Sequence, residues 1–153
     1  MDTVNGGLTA TERQEIAVAV FNLSRVASGT SALLSLANAR KDTDYYPEQA
    51  HALLSLLSAG TAFLIGRADN AEISALESAA EAAYFFATDR AWKTVWPHYV
   101  RLLATLARAT GMGEQLGQMV SESLAESPRS YWETNWPGIT AKMEALASEL
   151  FAG

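Results

Sequence analysis

The sequence predicts an all-α fold, a single-domain helical bundle of about five to six helices. Three observations carry that expectation. Alanine, the best helix former, supplies 28 of the 153 residues. Apolar residues recur at three- and four-residue steps rather than in the alternation of a strand. And the stretch Ala50 to Gly66 (AHALLSLLSAGTAFLIG) carries no formal charge between Glu48 and Arg67. Polar side chains cost free energy when buried, so a charge-free run of this length is expected to be the central helix, shielded by amphipathic neighbours. It is shorter than the about 20 residues of a membrane span. It also contains His51, Ser55, Ser58 and Thr61, and so reads as a core helix. A chain of this size can bury about 70% of its unfolded surface.

Residues 1–8 read as a flexible lead-in and 9–153 as the bundle domain. Thr9 with Glu12, or Thr11 with Gln14, has the spacing of a capping box, in which side chains satisfy the first free backbone N–H groups. The first helix is expected to run to about Arg40 on the apolar set Ile16, Val20, Leu23, Ala27, Leu34 and Ala37. Ser28-Gly29-Thr30-Ser31 is a weak spot where it bends or splits. Lys41 to Tyr46 is a polar turn, and Pro47 suits the first turn of a second helix ending near Arg67. Asp69 with Glu72 opens a third, expected to end between Thr88 and Ala91. The fourth either continues from Asp89 with a kink at Pro97 or starts anew there, and stops at Gly111-Met112-Gly113. Glu114 to Glu126 forms a shorter helix, Pro128 opens another turn, and Pro137 opens the last helix, to about Phe151.

Two internal echoes stand out. Ser24 to Ala37 (SRVASGTSALLSLA) resembles Ser55 to Ala68 (SLLSAGTAFLIGRA), and Trp92 to Pro97 resembles Trp132 to Pro137. Their offsets differ, whereas a repeat solenoid needs one steady period. Small residues form stripes at Ser24, Ser28, Ser31 and Ser35 and at Ala52, Ser55, Ala59, Ala62 and Gly66. Such stripes let helix backbones approach closely, either within the chain or against a second subunit. The first helix also carries Val18, Phe21 and Leu36 off its main apolar face, which favours a homodimer. Phe86, Trp92, Trp96, Tyr99, Trp132 and Trp136 either staple the core or, with Phe21, form an interaction surface or pocket rim, since large aromatics dominate both cores and binding hot spots.

Catalytic and cofactor chemistry finds little support. The absence of cysteine removes disulfides, thiolate metal sites and cysteine nucleophiles. Glu48-Gln-Ala-His51 has the Glu-x-x-His step of di-iron bundles, but the other histidine, His98, has Val95 where the second glutamate is required. A single-metal site from His51, His98 and Glu77 or Glu81 has no motif behind it. Asp42, Asp44 and Glu48 lack the turn glycine and remaining ligands of a calcium loop. No phosphate loop, dinucleotide fingerprint or nucleophile elbow occurs. No cofactor and no metal are therefore expected, and an enzyme is the weaker reading.

Net charge of −6 disfavours nucleic acid. Arg90, Lys93, Arg101 and Arg108 do interleave with Trp92, Trp96 and Tyr99, a pattern that binds single strands. The glutamates of the third helix, Glu72, Glu77 and Glu81, are expected to pair with them instead. The N-terminus shows no basic segment followed by an apolar one, and with the cysteine count this suggests a cytoplasmic protein. The leading expectation is a small acidic protein–protein interaction module: an adaptor, regulator or inhibitor of bacterial or phage type. Its partner would be a protein, either a second copy or a heterologous one, with neither nucleic acid nor membrane involved. The alternative is a small-molecule-binding bundle with an aromatic pocket around Tyr84, Phe85, Phe86, Trp92 and Trp96.

Overall fold

Helix boundaries in this chain follow from side chains and glycines placed at the ends. The computed structural model describes residues 8–40, 46–87, 91–125 and 138–152. Helix α1 (Ala10–Arg40) opens on Thr9, whose hydroxyl accepts the Glu12 N–H at 3.0 Å while the Glu12 carboxylate accepts the Thr9 N–H at 2.9 Å. The capping box thus forms at Thr9–Glu12 and not at Thr11–Gln14. The helix passes Ser28–Ser31 without splitting.

Helix α2 (Tyr46–Leu64) stops short of the expected Arg67. Gly66 has φ 72°, its N–H bonds to the Phe63 carbonyl, and the Arg67 N–H bonds back to the Ala62 carbonyl at 2.8 Å. This pair of bonds is a Schellman cap, and glycine takes the left-handed conformation at little cost. Helix α5 (Trp96–Ala109) ends the same way on Gly111, with the Met112 N–H on the Ala107 carbonyl at 2.8 Å.

Helix α3 (Asn70–Glu81) carries the expected capping box at Asp69 and Glu72. It ends well before Thr88, and residues Ala82–Phe86 wind into a tighter 3-10 turn. The reason is a hydroxyl from far along the chain. Ser123 donates to the Glu81 carbonyl at 2.9 Å and accepts the Tyr84 N–H at 3.1 Å, taking up groups that a continued α-helix would pair internally.

A single turn, α4 (Ala91–Thr94), is separated from α5 by Val95, so α5 starts anew with Pro97 in its first turn. Helices α6 (Gly113–Ala125) and α7 (Ile139–Ala152) complete the set. The described residues form an all-α bundle of seven helices with no strand, the break at Val95 adding one to the expected number.

The centre of the bundle is α5, which packs against α1, α2, α3, α6 and α7. Tyr99, Val100, Leu102, Leu103 and Leu106 on it are fully buried. The charge-free run forms a core helix too, with Leu53, Leu56 and Phe63 buried, but α2 lies beside α5 and leaves Leu54 and Ile65 exposed. Lack of charge marks a helix that tolerates burial, whereas the number of neighbours decides which helix is innermost. Helices α1 and α2 run antiparallel: the Arg13 guanidinium reaches the Leu64 carbonyl at 2.8 Å, and Gly60 lies under Val20. At Gly60 the two helices come so close that a β-carbon there would stand 2.8 Å from Val20 Cγ2. Of the stripes of small residues, Ala52 and Ser55 face α3 instead, and the side chains of Ser28, Ser31 and Ser35 lie outside those described.

Three aromatic side chains at the α3–α5 junction are closed off from solvent. Phe86 and Tyr99 have ring centroids 4.3 Å apart, and Trp96 lies 6.0 Å from Tyr99. Their polar atoms are satisfied: Trp96 Nε1 donates to the Met143 carbonyl at 3.2 Å, and the Tyr99 hydroxyl to the Ala79 carbonyl at 2.7 Å. Ala79 lies in the last turn of α3, where carbonyls lack helical partners. Tyr99→Phe should cost about 1–3 kcal/mol, because that carbonyl is left buried and unpaired.

Burial raises the Tyr99 pKa far above its usual value near 10. The folded state holds this proton more tightly than the unfolded chain, so stability is complete below pH 10 and falls as pH rises above it. A denaturation series from pH 8 to pH 11 checks both points. Wild type should lose more stability over that range than Tyr99→Phe, and equal losses would contradict the assignment.

Candidate interaction surface

Helix α1 uses one face for the core and a second for solvent. Ile16, Ala19 and Leu23 are buried. Thr11, Gln14, Val18, Phe21 and Arg25 follow one another at three- and four-residue steps on the outside, which places them on a single stripe. In its middle, Val18 is 50% and Phe21 63% exposed. The Arg25 guanidinium lies 6.0 Å from the Phe21 ring centroid, within reach of a cation–π attraction that holds the ring in place on the surface.

Beside this stripe runs a second, from α5. Arg101, Thr105 and Arg108 share one face, and with Thr11, Gln14, Glu15, Val18 and Ala19 they line an open groove of about 370 Å³. Thr105 turns its hydroxyl back to the Arg101 carbonyl at 2.7 Å, so the floor is largely apolar and the rims are polar. Arg108 donates to the Leu150 carbonyl at the end of α7. The Arg101 guanidinium has no hydrogen-bond or ion-pair partner among the described residues. The expected pairing of these arginines with the glutamates of α3 is absent there: they face α1, while Glu77 takes a hydrogen bond from Gln115 on α6.

A second groove, of about 320 Å³, lies between α2 and the α3–3-10 segment. Ala52, Ala79, Ala82 and Phe85 wall it, and Glu48, His51, Ser55 and Ser78 stand around it. Gln49, itself buried, donates to the Phe85 carbonyl at 2.8 Å and fixes that wall. Among the described residues no three of the Asp, Glu and His side chains come together to hold a metal ion. No described helix is long and apolar enough to cross a membrane.

The residues singled out in the sequence therefore separate. Phe21 lies on the α1 surface. Phe86, Trp96 and Tyr99 are fully buried and hydrogen-bonded or stacked, so they act as core and offer neither an interaction surface nor a pocket rim. Trp92 is half-buried beside α7, with the Lys142 ammonium 5.3 Å from its ring centroid and its Nε1 buried without a partner among the described residues. Trp132 and Trp136 lie outside the described residues, as does the side chain of Leu36.

Of the aromatic pocket expected around Phe86 and Trp96, Phe85 is the one member that lines either of these two grooves. Sequence reasoning did not single out Arg101 and Arg108 as neighbours of Val18. Their seven-residue spacing put them on one face of α5, but only the packing of α1 on α5 brings the two stripes together. No protein-family model, curated protein or solved structure matches the chain.

Proposed function

We propose that this protein is a binding module that engages another polypeptide chain through the outer face of α1 and the adjoining arginine stripe of α5. The observation that carries the reading is the pair Val18 and Phe21, half or more exposed on one stripe of a helix whose opposite face is already buried in the core. A partner that covered them would gain roughly 1 kcal/mol for each, about half the value of burying a fully exposed apolar side chain. The bundle gains nothing from them, since Ile16, Ala19 and Leu23 already anchor α1.

The test is a photoreactive p-benzoylphenylalanine placed at Phe21 and, as a control, at the exposed Glu114 of α6, with irradiation in cells. A discrete adduct from Phe21 and none from Glu114 is the expected outcome, at either twice the chain mass or the chain mass plus that of one other protein. Adducts from both positions alike, or from neither, would overturn the reading.

A small-molecule function retains one specific support, the groove beside Phe85, whose volume is within the range of small-ligand sites. It ranks second because its polar members Glu48 and His51 are exposed, and the buried Gln49 behind the wall already donates to the Phe85 carbonyl.

A further inference from the structure

The charges of this chain are sorted by helix. On α3, α6 and α7 every formally charged residue is a glutamate except Lys142. On α5 the only formal charges are Arg101 and Arg108, and the neighbouring stripe of α1 ends in Arg25. The chain as a whole is at −6, so a basic groove on it runs against the overall balance. Glu15 is the one carboxylate lining that groove, and it makes no ion pair with Arg101 or Arg108 among the described residues. Both arginines are exposed and keep unused N–H groups among the described residues, since Arg108 uses one on Leu150 and the Arg101 guanidinium uses none.

The dimensions narrow the occupant. Arg101 and Arg108 are seven residues apart, about 10.5 Å along the helix axis, which is two turns. Between them the floor is Thr105, Val18 and Ala19, and Phe21 extends the apolar stripe by one further turn. Two parallel helical ridges with a groove between them are the usual seat for a third helix. We infer that this groove binds an acidic amphipathic helix of another protein, with carboxylates two turns apart that meet Arg101 and Arg108 and apolar side chains that cover Val18 and Phe21. Arginine suits this role because its planar fork pairs with carboxylates in bidentate fashion. The inference rests on the protein-binding reading above and adds the chemistry of the partner.

A selection from a display library of randomised helical peptides tests it, run in parallel on wild type, Arg101→Glu, Arg101→Gln and Phe21→Glu. Both positions of substitution are exposed, and circular dichroism with a thermal melt confirms that each variant is folded before selection. Wild type should enrich peptides with Asp or Glu at i and i+7 and apolar residues between. Those peptides should bind Arg101→Glu about tenfold or more weakly, bind Arg101→Gln with an intermediate loss, and weaken as salt is raised through the range where the Debye length falls below about 10 Å.

Enriched peptides that are apolar but without acidic bias, lost on Phe21→Glu and kept on Arg101→Glu, would refute the acidic partner while leaving the protein-binding face standing. Peptides indifferent to both substitutions, or no enrichment, would remove the groove as a helix seat altogether. A labelled oligodeoxythymidine that binds wild type, fails on Arg101→Glu and displaces the selected peptides would replace the inference with a nucleic-acid one. A persistent dimer by native mass spectrometry that Phe21→Glu dissociates would assign the face to a second copy and likewise overturn it.

Discussion

Trp96→Ala should lower the free energy of unfolding by about 3–5 kcal/mol, the range for deleting a large buried aromatic from a packed core. The side chain has no exposed surface and belongs to the stacked group with Phe86 and Tyr99. It also ties α5 to α7 through a hydrogen bond to the Met143 carbonyl, so the substitution opens a cavity and removes one link between the two helices. Urea unfolding followed by far-ultraviolet circular dichroism measures it. The midpoint should fall sharply with little change in slope, which would mark a loss of stability rather than a change in compactness. A loss below about 1 kcal/mol would mean that the aromatic group is not filled core. In that case the pocket expected from the sequence at Phe86 and Trp96 would return as a live reading.

Gly60→Val should cost about 3 kcal/mol, at the upper end for overpacking. A β-carbon at Gly60 would stand 2.8 Å from Val20 Cγ2 and 3.5 Å from Leu102 Cδ1, so α1, α2 and α5 meet there with no room for a side chain. Valine adds two further methyls beyond that carbon. Valine at position 20 has little rotamer freedom to retreat, because a branched β-carbon in a helix is held to one favoured χ1. Relief of glycine's poor helix propensity returns only a few tenths of a kcal/mol. A second substitution decides the cause. If the clash with Val20 is responsible, Gly60→Val combined with Val20→Ala should be more stable than Gly60→Val alone, a coupling that a double-mutant cycle reports directly. Simple additivity of the two losses would place the damage elsewhere.

What was legible in the sequence follows the range over which each interaction acts. The capping boxes at Thr9–Glu12 and Asp69–Glu72 involve partners three residues apart, and both form. The stop at Gly111 was readable because a left-handed residue after a helical pattern needs no distant partner. Val18 and Phe21 were visible as apolar residues off the main face of their helix, and they are exposed.

The end of α3 was not legible, since it is set by Ser123, a hydroxyl 42 residues away. Nor were the separate fates of Trp92 and Trp96. They sit four residues apart and both reach α7, at Lys142 and at Met143, but Trp96 is also covered by Phe86 and Tyr99 and is fully buried while Trp92 stays half-buried. The central place of α5 was missed for a related reason. Its two arginines lowered its apparent hydrophobicity, whereas one narrow polar strip is enough to reach solvent from an otherwise surrounded helix.

The two arginines that reach across to foreign helix ends have a consequence for how the molecule comes apart. Arg13 of α1 holds the Leu64 carbonyl at the exit of α2, and Arg108 of α5 holds the Leu150 carbonyl near the exit of α7. A helix ordinarily frays from its ends one residue at a time, because its last carbonyls have no partner to lose. Here the first step of fraying at either exit breaks a bond to a different helix. Small local openings are thereby coupled to the separation of whole helix pairs, α2 from α1 and α7 from α5. The termini of these helices are drawn into the same cooperative unit as the core.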